Sequence, residues 1–356
     1  MTRLLITMEY PPDVGGVAEY YAGLVGELPE GSVTVMTPRT HRFFSRWIWP
    51  HWLPLLWNAR RVIRRERPDE VWVGQILPIG TALWILKKLR LTAYCLPLTI
   101  FCHGMDVLVP QRSRVKTWLV QRILATAHRV VVNSRFTMRE VKKLGVGEER
   151  IRVVHPCPQI TYQESGIMNN ELRDSFHLHG KKILLTVARL VRRKGIDLVI
   201  EAVAKIKEQF PDLAYVIVGD GPEREALKTQ CQMSNVKCLF VGSISDAERA
   251  TWYDCCDVFI MTPRQIGGDV EGFGLVYLEA NLFGKPVIGS RSGGVPEAVV
   301  DGETGILVPE NDPAAIADAI VKLMADSVLA NKMGEQGRAR VKKEFQWGQQ
   351  VLRMKE

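Results

Sequence analysis

The chain has 356 residues, more than one hydrophobic core usually holds, so two domains are expected. With 46% hydrophobic and 24% charged residues it has the composition of an ordinary globular protein. Its longest uncharged stretch, residues 71–86, is shorter than the ~20 apolar residues of a membrane span. The seven cysteines are odd in number and form no Cys-x-x-Cys pair, which argues against a disulfide framework or a zinc site and favours a reducing, cytoplasmic setting.

The net charge of +8 is unevenly distributed along the chain. Residues 1–160 contain 23 Lys and Arg against 12 Asp and Glu, whereas residues 161–356 contain 24 against 27. A basic first half predicts an anionic partner for that half alone. The first three residues run directly into an apolar strand pattern, so we expect no signal peptide.

Strand patterns alternate with helical ones throughout, which predicts an α/β protein with parallel sheets. Strands of a first unit are predicted at 4–10, 32–38, 70–74, 98–103 and 129–134, and strands of a second unit at 182–189, 214–219, 237–241, 258–262, 286–289 and 305–308. Residues 154–159 break the pattern and form the best hinge candidate. Two doubly wound, Rossmann-like units would place a ligand in a cleft between them, facing the carboxyl ends of the strands.

A glycine pair follows the first predicted strand. Gly15 and Gly16 precede a helix predicted over residues 18–28, and two glycines at that point let the backbone approach a phosphate or a sugar closely. Simple turn chemistry is the alternative interpretation of such a pair.

Residues 39–67, here called the basic segment, have the least ordinary composition of the chain. They contain eight arginines against the single acid Glu66, interleaved with aromatic residues: Phe43, Phe44, Trp47, Trp49, Trp52 and Trp57. Tryptophan and arginine together favour a membrane interface, and Arg60, Arg61, Arg64 and Arg65 are the cations expected to meet anionic lipid. The alternatives are a solvated basic helix with its aromatic residues in the core, and a nucleic-acid surface, which no accompanying signature supports.

Candidate site residues follow the strands of both units. His103 ends the strand predicted at 98–103, and Gly104 follows it. His103 is therefore placed to face the cleft, although a lone histidine is usually structural. Asp106 either faces an acceptor or caps the next helix. In the second unit, Arg189 and Lys194 are five residues apart across a loop and can converge on one anion, unless they are merely surface cations.

Glu271 and Glu279 are eight residues apart, close to two turns of an α-helix. If that helix starts at the glycines, the backbone N–H groups of Gly272, Phe273 and Gly274 form an anion site suited to a diphosphate. Glu271 would then bind sugar hydroxyls and Glu279 the paired hydroxyls of a ribose. The alternative is a capped amphipathic helix with acidic residues in its first turn.

The run from residue 267 to residue 280 resembles the E-x7-E signature of the family-4 retaining glycosyltransferases of the GT-B fold, most closely the branch with the phosphatidylinositol mannosyltransferases. His103-Gly104 and the glycine pair are similar to family segments, as are residues 187–195 (where Ala188 replaces the usual glycine), 219–222, 292–297 and 301–305. The resemblance covers nearly the whole chain. It implies that His103 contacts the donor sugar, with Gly219 and Ser243 at the donor site.

The resemblance also implies the domain plan and the reaction. Residues 1–158 would form the acceptor-side domain, with a tail at 342–356 packing back on it, and residues 159–341 would bind the sugar nucleotide. We expect transfer of a hexose, mannose or glucose, from GDP or UDP to a membrane lipid or lipid-linked glycan, with retention. We further expect no metal cofactor and a peripheral position on the inner face of the membrane, with Asp13 on the acceptor side.

Two other functions stay open at this point. One is another GT-B enzyme, such as a sugar-nucleotide epimerase, a hydrolysing relative or a transferase with a soluble acceptor, although the epimerases lack the E-x7-E pattern. The other is a non-catalytic sensor, which would be expected to have lost Arg189, Lys194 or one of the glutamates. No nucleic-acid partner is expected.

Overall fold

The computed structural model describes residues 1–13, 15–90, 96–160 and 166–355. Its contacts divide the chain into two units. Unit 1 comprises Met1–Cys157, Gly267–Gly272 and Trp347–Glu356, and unit 2 comprises Pro158–Ile266 and Phe273–Gln346. The division therefore falls one residue before the boundary expected from the sequence, and the tail of unit 1 begins at Trp347 rather than at residue 342. No helix of the described residues is long and apolar enough to cross a membrane.

Unit 1 is built on a six-stranded parallel sheet of order β2-β1-β3-β4-β5-β6. Its strands are β1 (Arg3–Ile6), β2 (Val33–Met36), β3 (Glu70–Val73), β4 (Leu98–Cys102), β5 (Arg129–Val132) and β6 (Ile151–Val153). The central strands are buried on both faces, which explains their nearly continuous apolar runs. The sequence did not indicate β6, a three-residue strand with a charged residue, Arg152, at its centre.

Helices cover both faces of this sheet. They are α1 (Gly16–Gly26), α2 (Leu53–Glu66), α3 (Thr81–Lys88), α4 (Met105–Leu108), α5 (Arg114–Ala125), α6 (Arg135–Lys143) and, after unit 2, the C-terminal helix (Trp347–Lys355). Leu4 and Ile6 face the core formed by α2, α3 and α5, whereas Leu5 faces α1 and the C-terminal helix. The alternation of one strand between two cores is the period-2 pattern of a doubly covered sheet.

Unit 2 repeats the architecture with a six-stranded parallel sheet of order β12-β11-β10-β7-β8-β9. Its strands are β7 (Lys182–Val187), β8 (Leu213–Val218), β9 (Cys238–Gly242), β10 (Val258–Ile260), β11 (Val287–Ser290) and β12 (Gly305–Val308). Its helices are α7 (Gly166–Ser175), α8 (Ile196–Ile206), α9 (Arg224–Met233), α10 (Asp246–Cys255), α11 (Leu275–Leu282), α12 (Val295–Ala298), α13 (Pro313–Ala325) and α14 (Ser327–Glu344); the C-terminal helix is α15. The predicted pair of Rossmann-like units is thus confirmed.

One covalent link departs from the sequence prediction. Cys231 at the end of α9 and Cys238 at the start of β9 form a disulfide, their Cα atoms being 6.4 Å apart. The odd cysteine count gave no sign of this pair, because the turn after α9 brings the two residues together. Cys102, Cys157, Cys255 and Cys256 are buried thiols outside the disulfide, and Cys95 lies outside the described residues.

Candidate functional site

His103 lies directly after β4, held by a tyrosine of α1. The hydroxyl of Tyr21 donates a 2.6 Å hydrogen bond to the carbonyl oxygen of Gly74, and Nε2 of His103 lies 2.8 Å from the same hydroxyl oxygen. Because the hydroxyl proton of Tyr21 is donated to Gly74, Nε2 of His103 must carry the proton that is donated to the Tyr21 oxygen. Burial lowers the pKa of His103 to about 4, so the ring is neutral near pH 7.

Asp106 lies in the first turn of α4 and is hydrogen-bonded to the loop that carries His103. Its Oδ1 accepts a 2.8 Å hydrogen bond from the backbone N–H of His103, while its buried Oδ2 has no hydrogen-bond partner among the described residues. Burial raises the pKa of this carboxyl to about 7, although backbone N–H groups oppose the shift. No side chain of the described chain caps α4, whose N-cap is Gly104, so the alternative that Asp106 caps this helix is wrong. The role of Asp106 toward an acceptor stays a prediction.

The loop that carries Glu271 crosses the His103 loop within unit 1. Gly104 has φ +103°, and a Cβ there would lie 3.2 Å from the Cα of Gly272. A Cβ at Gly272 would lie 2.2 Å from the carbonyl oxygen of His103, so only glycine fits at that position. Asn133 donates to the same carbonyl at 3.2 Å and secures the crossing. The structure thus brings the half-buried Glu271 and His103 onto neighbouring backbone segments.

The helix that the sequence analysis expected to start at the glycines does so. Gly274 is its N-cap, in the left-handed region with φ 93°, and α11 begins at Leu275. Glu271 therefore precedes the helix, and the eight-residue spacing does not represent two helical turns. Phe273 is buried and packs against Phe345, so its side chain belongs to the core. No side chain caps the N-terminus of α11, and its first turn contains no acidic residue.

Glu279 is fully buried inside α11 and is held by two residues of α10. Tyr253 donates a 2.7 Å hydrogen bond to Oε2 of Glu279, and a guanidinium nitrogen of Arg249 lies 3.7 Å from Oε1. The sequence analysis missed both residues. Neither belongs to a motif, and on an amphipathic helix a tyrosine and an arginine carry no distinguishing spacing.

The cationic loop of unit 2 follows β7. Arg189 is exposed and has no ion-pair or hydrogen-bonding partner for its side chain among the described residues, whereas Lys194 is half-buried at the end of a short 3-10 turn, Arg192–Lys194. The loop after β8 packs tightly on it, since a Cβ at Gly219 would lie 2.0 Å from the carbonyl oxygen of Ala188. Ser243 is exposed directly after β9, the neighbour of β8.

A short segment after β10 links the cationic loop to α11. The backbone N–H of Arg264 donates to the carbonyl oxygen of Arg193 at 2.8 Å. Tyr277, in the first turn of α11, donates to the carbonyl oxygen of Met261. The loop of Lys194 and the N-terminus of α11 are therefore both tied to the carboxyl end of one strand, which suits binding of an anion by cations and backbone N–H groups.

The glycine pair and the basic segment lie in unit 1. Gly15 has φ +155° and precedes α1, which begins at Gly16, whereas Val14 lies outside the described residues. Asp13 forms an ion pair with Arg39 at 2.5 Å, and this hydrogen bond to Arg39 lowers the pKa of its carboxyl.

The aromatic residues of the basic segment divide between the core and the surface. Phe43 is buried, while Trp47 and Trp49 are 91% and 85% exposed. The Arg side chains at 61, 64 and 65 are exposed on α2, Arg60 is partly covered, and Arg65 pairs with Glu66 at 2.7 Å. The alternative of aromatic residues turned into the core therefore holds for Phe43 but not for these two tryptophans.

Two parallel six-stranded sheets, with glycine loops and cations after their strands and a buried glutamate in α11, are the arrangement expected of a glycosyltransferase of the GT-B fold. Residues 168–340 match the family described as Glycosyl transferases group 1, and residues 14–157 match Glycosyltransferase Family 4. The chain belongs to these glycosyltransferases, and the resemblance of its motifs is confirmed.

Individual relatives extend over nearly the whole chain. It is 30% identical to the GDP-mannose-dependent alpha-(1-6)-phosphatidylinositol monomannoside mannosyltransferase of Mycolicibacterium smegmatis, over 99% of this chain and 97% of that protein. The chain is 26% identical to the corresponding enzyme for the monoacylated lipid in Corynebacterium glutamicum, over 97% of this chain and 94% of that protein. The solved structure of Anabaena HepE with UDP-glucose has a TM-score of 0.83 at 20% identity, covering 99% of both chains, and is similar in fold.

Proposed function

We propose that the protein is a retaining mannosyltransferase that uses GDP-mannose and a phosphatidylinositol-type membrane lipid or lipid-linked glycan as acceptor. The observation that supports this most is the 30% identity, over 99% of the chain, to a GDP-mannose-dependent enzyme acting on a phosphatidylinositol mannoside. The sequence left open whether the donor nucleotide is GDP or UDP and whether the transferred sugar is mannose or glucose. The relatives favour GDP and mannose.

Unit 2 supplies the charge that the leaving nucleotide requires. When the bond to the sugar breaks, the diphosphate gains negative charge, and preorganised donors placed there stabilise the transition state. Arg189, Lys194 and the N-terminal N–H groups of α11 are the donors in this proposal. With two cations in these roles no metal cofactor is needed, so turnover should persist in EDTA.

Glu279 binds the ribose hydroxyls, since a buried carboxylate accepts hydrogen bonds from a pair of hydroxyl groups. Glu271 and the neutral His103 act on the mannose. His103 donates through Nε2 to Tyr21, so its Nδ1 is left as an acceptor for a sugar hydroxyl. Neither glutamate is assigned as a nucleophile; retention would follow from attack on the face that the diphosphate leaves, with the diphosphate accepting the proton of the acceptor hydroxyl.

The basic segment holds the enzyme on the inner face of the membrane. Exposed tryptophans suit the headgroup region, and exposed arginines suit anionic lipid. Such docking is reversible, because only the few side chains that face the lipid contribute.

The test is an assay of isotopically labelled GDP-mannose and UDP-glucose with phosphatidylinositol mannoside in detergent, with and without EDTA. We expect a mannosylated lipid from GDP-mannose in both conditions, and an α-anomeric signal in the NMR spectrum of the product. A product of inverted configuration would contradict retention, and transfer only from UDP-glucose would contradict the donor assignment.

A second candidate is transfer to a soluble acceptor. It is favoured by a relative of Bacillus anthracis, 26% identical over 83% of this chain, whose name is N-acetyl-alpha-D-glucosaminyl L-malate synthase. The same assay with inositol phosphate or malate in place of the lipid separates the two candidates, because a soluble product would form without detergent.

A further inference from the structure

Two helices outside the basic segment also expose aromatic and basic side chains. They are α3 and α5, neighbouring helices in the layer that covers one face of the sheet of unit 1. We call the solvent-accessible side chains of these two helices, with the residues that directly follow α3, the α3–α5 surface; they are Trp84, Lys87, Lys88, Leu89, Arg114, Val115, Lys116, Trp118 and Arg122.

The apolar side chains Val115, Trp118 and Leu89 of this surface are exposed and do not pack into the hydrophobic core. Trp118 is 49% exposed and Val115, three residues before it on α5, is 74% exposed, while Leu89, which directly follows α3, is 60% exposed. The rings of Trp84 and Trp118 meet edge to face, 6.4 Å apart. Single exposed apolar residues are ordinary, but a tryptophan pair with the exposed Val115 one helical turn away is a patch that suits an apolar or interfacial partner.

The charge of the surface has one sign. Lys88 lies over the ring of Trp84 at 5.1 Å and Arg122 over the ring of Trp118 at 5.6 Å. Residues 81–90 and 109–125 contain no Asp or Glu at all. Among the described residues, the contacts of the cations of this surface are with neutral groups: Lys88 and Arg122 lie over rings, and Lys87 donates to the carbonyl oxygen of Thr126. Their positive charge is therefore uncompensated.

We propose that the α3–α5 surface is a second contact with an anionic phospholipid bilayer. This inference rests on the membrane association proposed above and enlarges it, because α2 of the basic segment packs directly against α3. Tryptophan rings lie at headgroup depth, aliphatic side chains such as Val115 reach the acyl boundary, and the cations meet lipid phosphates. Nucleic acid would use the cations and the rings but has no use for exposed Val115 and Leu89.

The first experiment measures co-sedimentation of the full chain with phosphatidylcholine vesicles containing half phosphatidylglycerol. The test variant carries Arg114→Ser, Lys116→Ser and Arg122→Ser. We expect its partition coefficient to fall by about fivefold for each cation that faces the lipid. The charge-matched control carries Arg139→Ser, Lys142→Ser and Lys143→Ser on α6, where both lysines already pair with glutamates. It should bind nearly as the wild type does.

A second experiment reads insertion directly from tryptophan fluorescence. Vesicles containing brominated lipid should quench the wild-type protein, and Trp118→Phe should remove part of that quenching. Trp252→Phe is the matched control, because Trp252 is buried in unit 2 and should not contribute to the quenching by lipid.

The outcomes separate this inference from the proposed function. If the wild type binds and the α5 variant binds equally well, while Arg60→Ser, Arg61→Ser, Arg64→Ser and Arg65→Ser abolish binding, the second contact is wrong and the first stands. If the wild type ignores the vesicles but binds a mixed-sequence RNA that the α5 variant does not, the lipid assignment is wrong. Mannosyl transfer to detergent-dispersed lipid tests the transferase proposal independently of both.

Discussion

Nε2 of His103 lies 2.8 Å from the hydroxyl oxygen of Tyr21, whose proton is donated to the carbonyl of Gly74. This relay fixes the tautomer of a histidine that burial keeps neutral, since its pKa lies near 4. A tyrosine of α1 thereby determines which nitrogen of His103 is left to meet a ligand.

Tyr21→Phe should therefore lower kcat by about tenfold, while KM for GDP-mannose changes little. The loss is smaller than the roughly 10²–10⁴-fold for a group that transfers a proton itself, because Tyr21 only orients His103. Steady-state kinetics measure the effect. Tyr20→Phe is the control, because the Tyr20 hydroxyl donates to Val154 and not to His103. Equal losses in the two variants would show that the tyrosine hydroxyls act on stability alone.

Asp106 should make stability depend on pH. Its pKa is raised from 3.8 to about 7, so the native state retains a proton that the unfolded chain loses, and the stability from this group is lost as pH rises from about 4 to 7. His103 acts in the opposite direction: its pKa is lowered to about 4, so its contribution is lost as pH falls from 6.5 to 4. The two effects offset each other between pH 4 and 6.5.

Asp106→Asn removes the first effect and keeps an oxygen to accept from His103. The variant should gain stability relative to wild type as pH rises, on the order of 4 kcal/mol at pH 8 for three pKa units, and little at pH 4. Urea unfolding at both pH values measures it. A difference from wild type that is the same at pH 4 and pH 8 would contradict the assignment.

Arg189→Ala should reduce kcat/KM by about two to three orders of magnitude, the scale for loss of one preorganised donor. The Tm should barely change, because the side chain is exposed and has no partner in the described chain. Arg192→Ala, an exposed cation three residues further on, is the control. Near-normal turnover of the Arg189 variant would contradict the proposal that cationic side chains, rather than a metal ion, stabilise the leaving diphosphate.

Glu279→Gln should weaken binding of free GDP, because the ribose contact does not depend on the sugar. Tyr253→Phe should weaken it less, since it loosens Glu279 without removing the carboxylate, and Tyr215→Phe, at another buried tyrosine of unit 2, should leave GDP binding unchanged. Glu271→Gln should act on turnover instead. Calorimetric titration with GDP decides, and equal weakening by both glutamate variants would disprove the division of roles.

Arg60→Ser, Arg61→Ser, Arg64→Ser and Arg65→Ser together should abolish pelleting with anionic vesicles and leave binding of the sugar nucleotide intact. Each cation near an anionic surface contributes roughly 1 kcal/mol, screened over about a Debye length. Wild-type protein should also pellet poorly with neutral vesicles and be partly released by salt. If the variant pellets at the wild-type level, the basic segment has no role in membrane binding and its helix is an ordinary solvated one.

Much of the fold could be predicted because buried parallel strands are apolar runs that end in glycine or polar residues. β6 was missed because three residues with a central arginine carry no such run. The eight-residue spacing of Glu271 and Glu279 does not correspond to two helical turns, because α11 begins only after Gly274, and spacing alone does not show that Gly274 adopts a left-handed conformation. Tyr253 and Arg249 were missed because their importance comes from packing against Glu279, a contact between helices that local sequence does not encode.

Unit 1 is discontinuous in the chain, and this has a consequence for its biosynthesis. Val351 and Met354 of α15 complete the core around Leu5 and Tyr20, yet α15 leaves the ribosome roughly 190 residues after Cys157. At about 5–20 residues per second, the first unit waits some 10–40 s with that apolar face uncovered. Unit 2 extends to Gln346, the residue before α15, so it is complete only at the end of this interval, and the nascent N-terminal half is a natural client for chaperones until then.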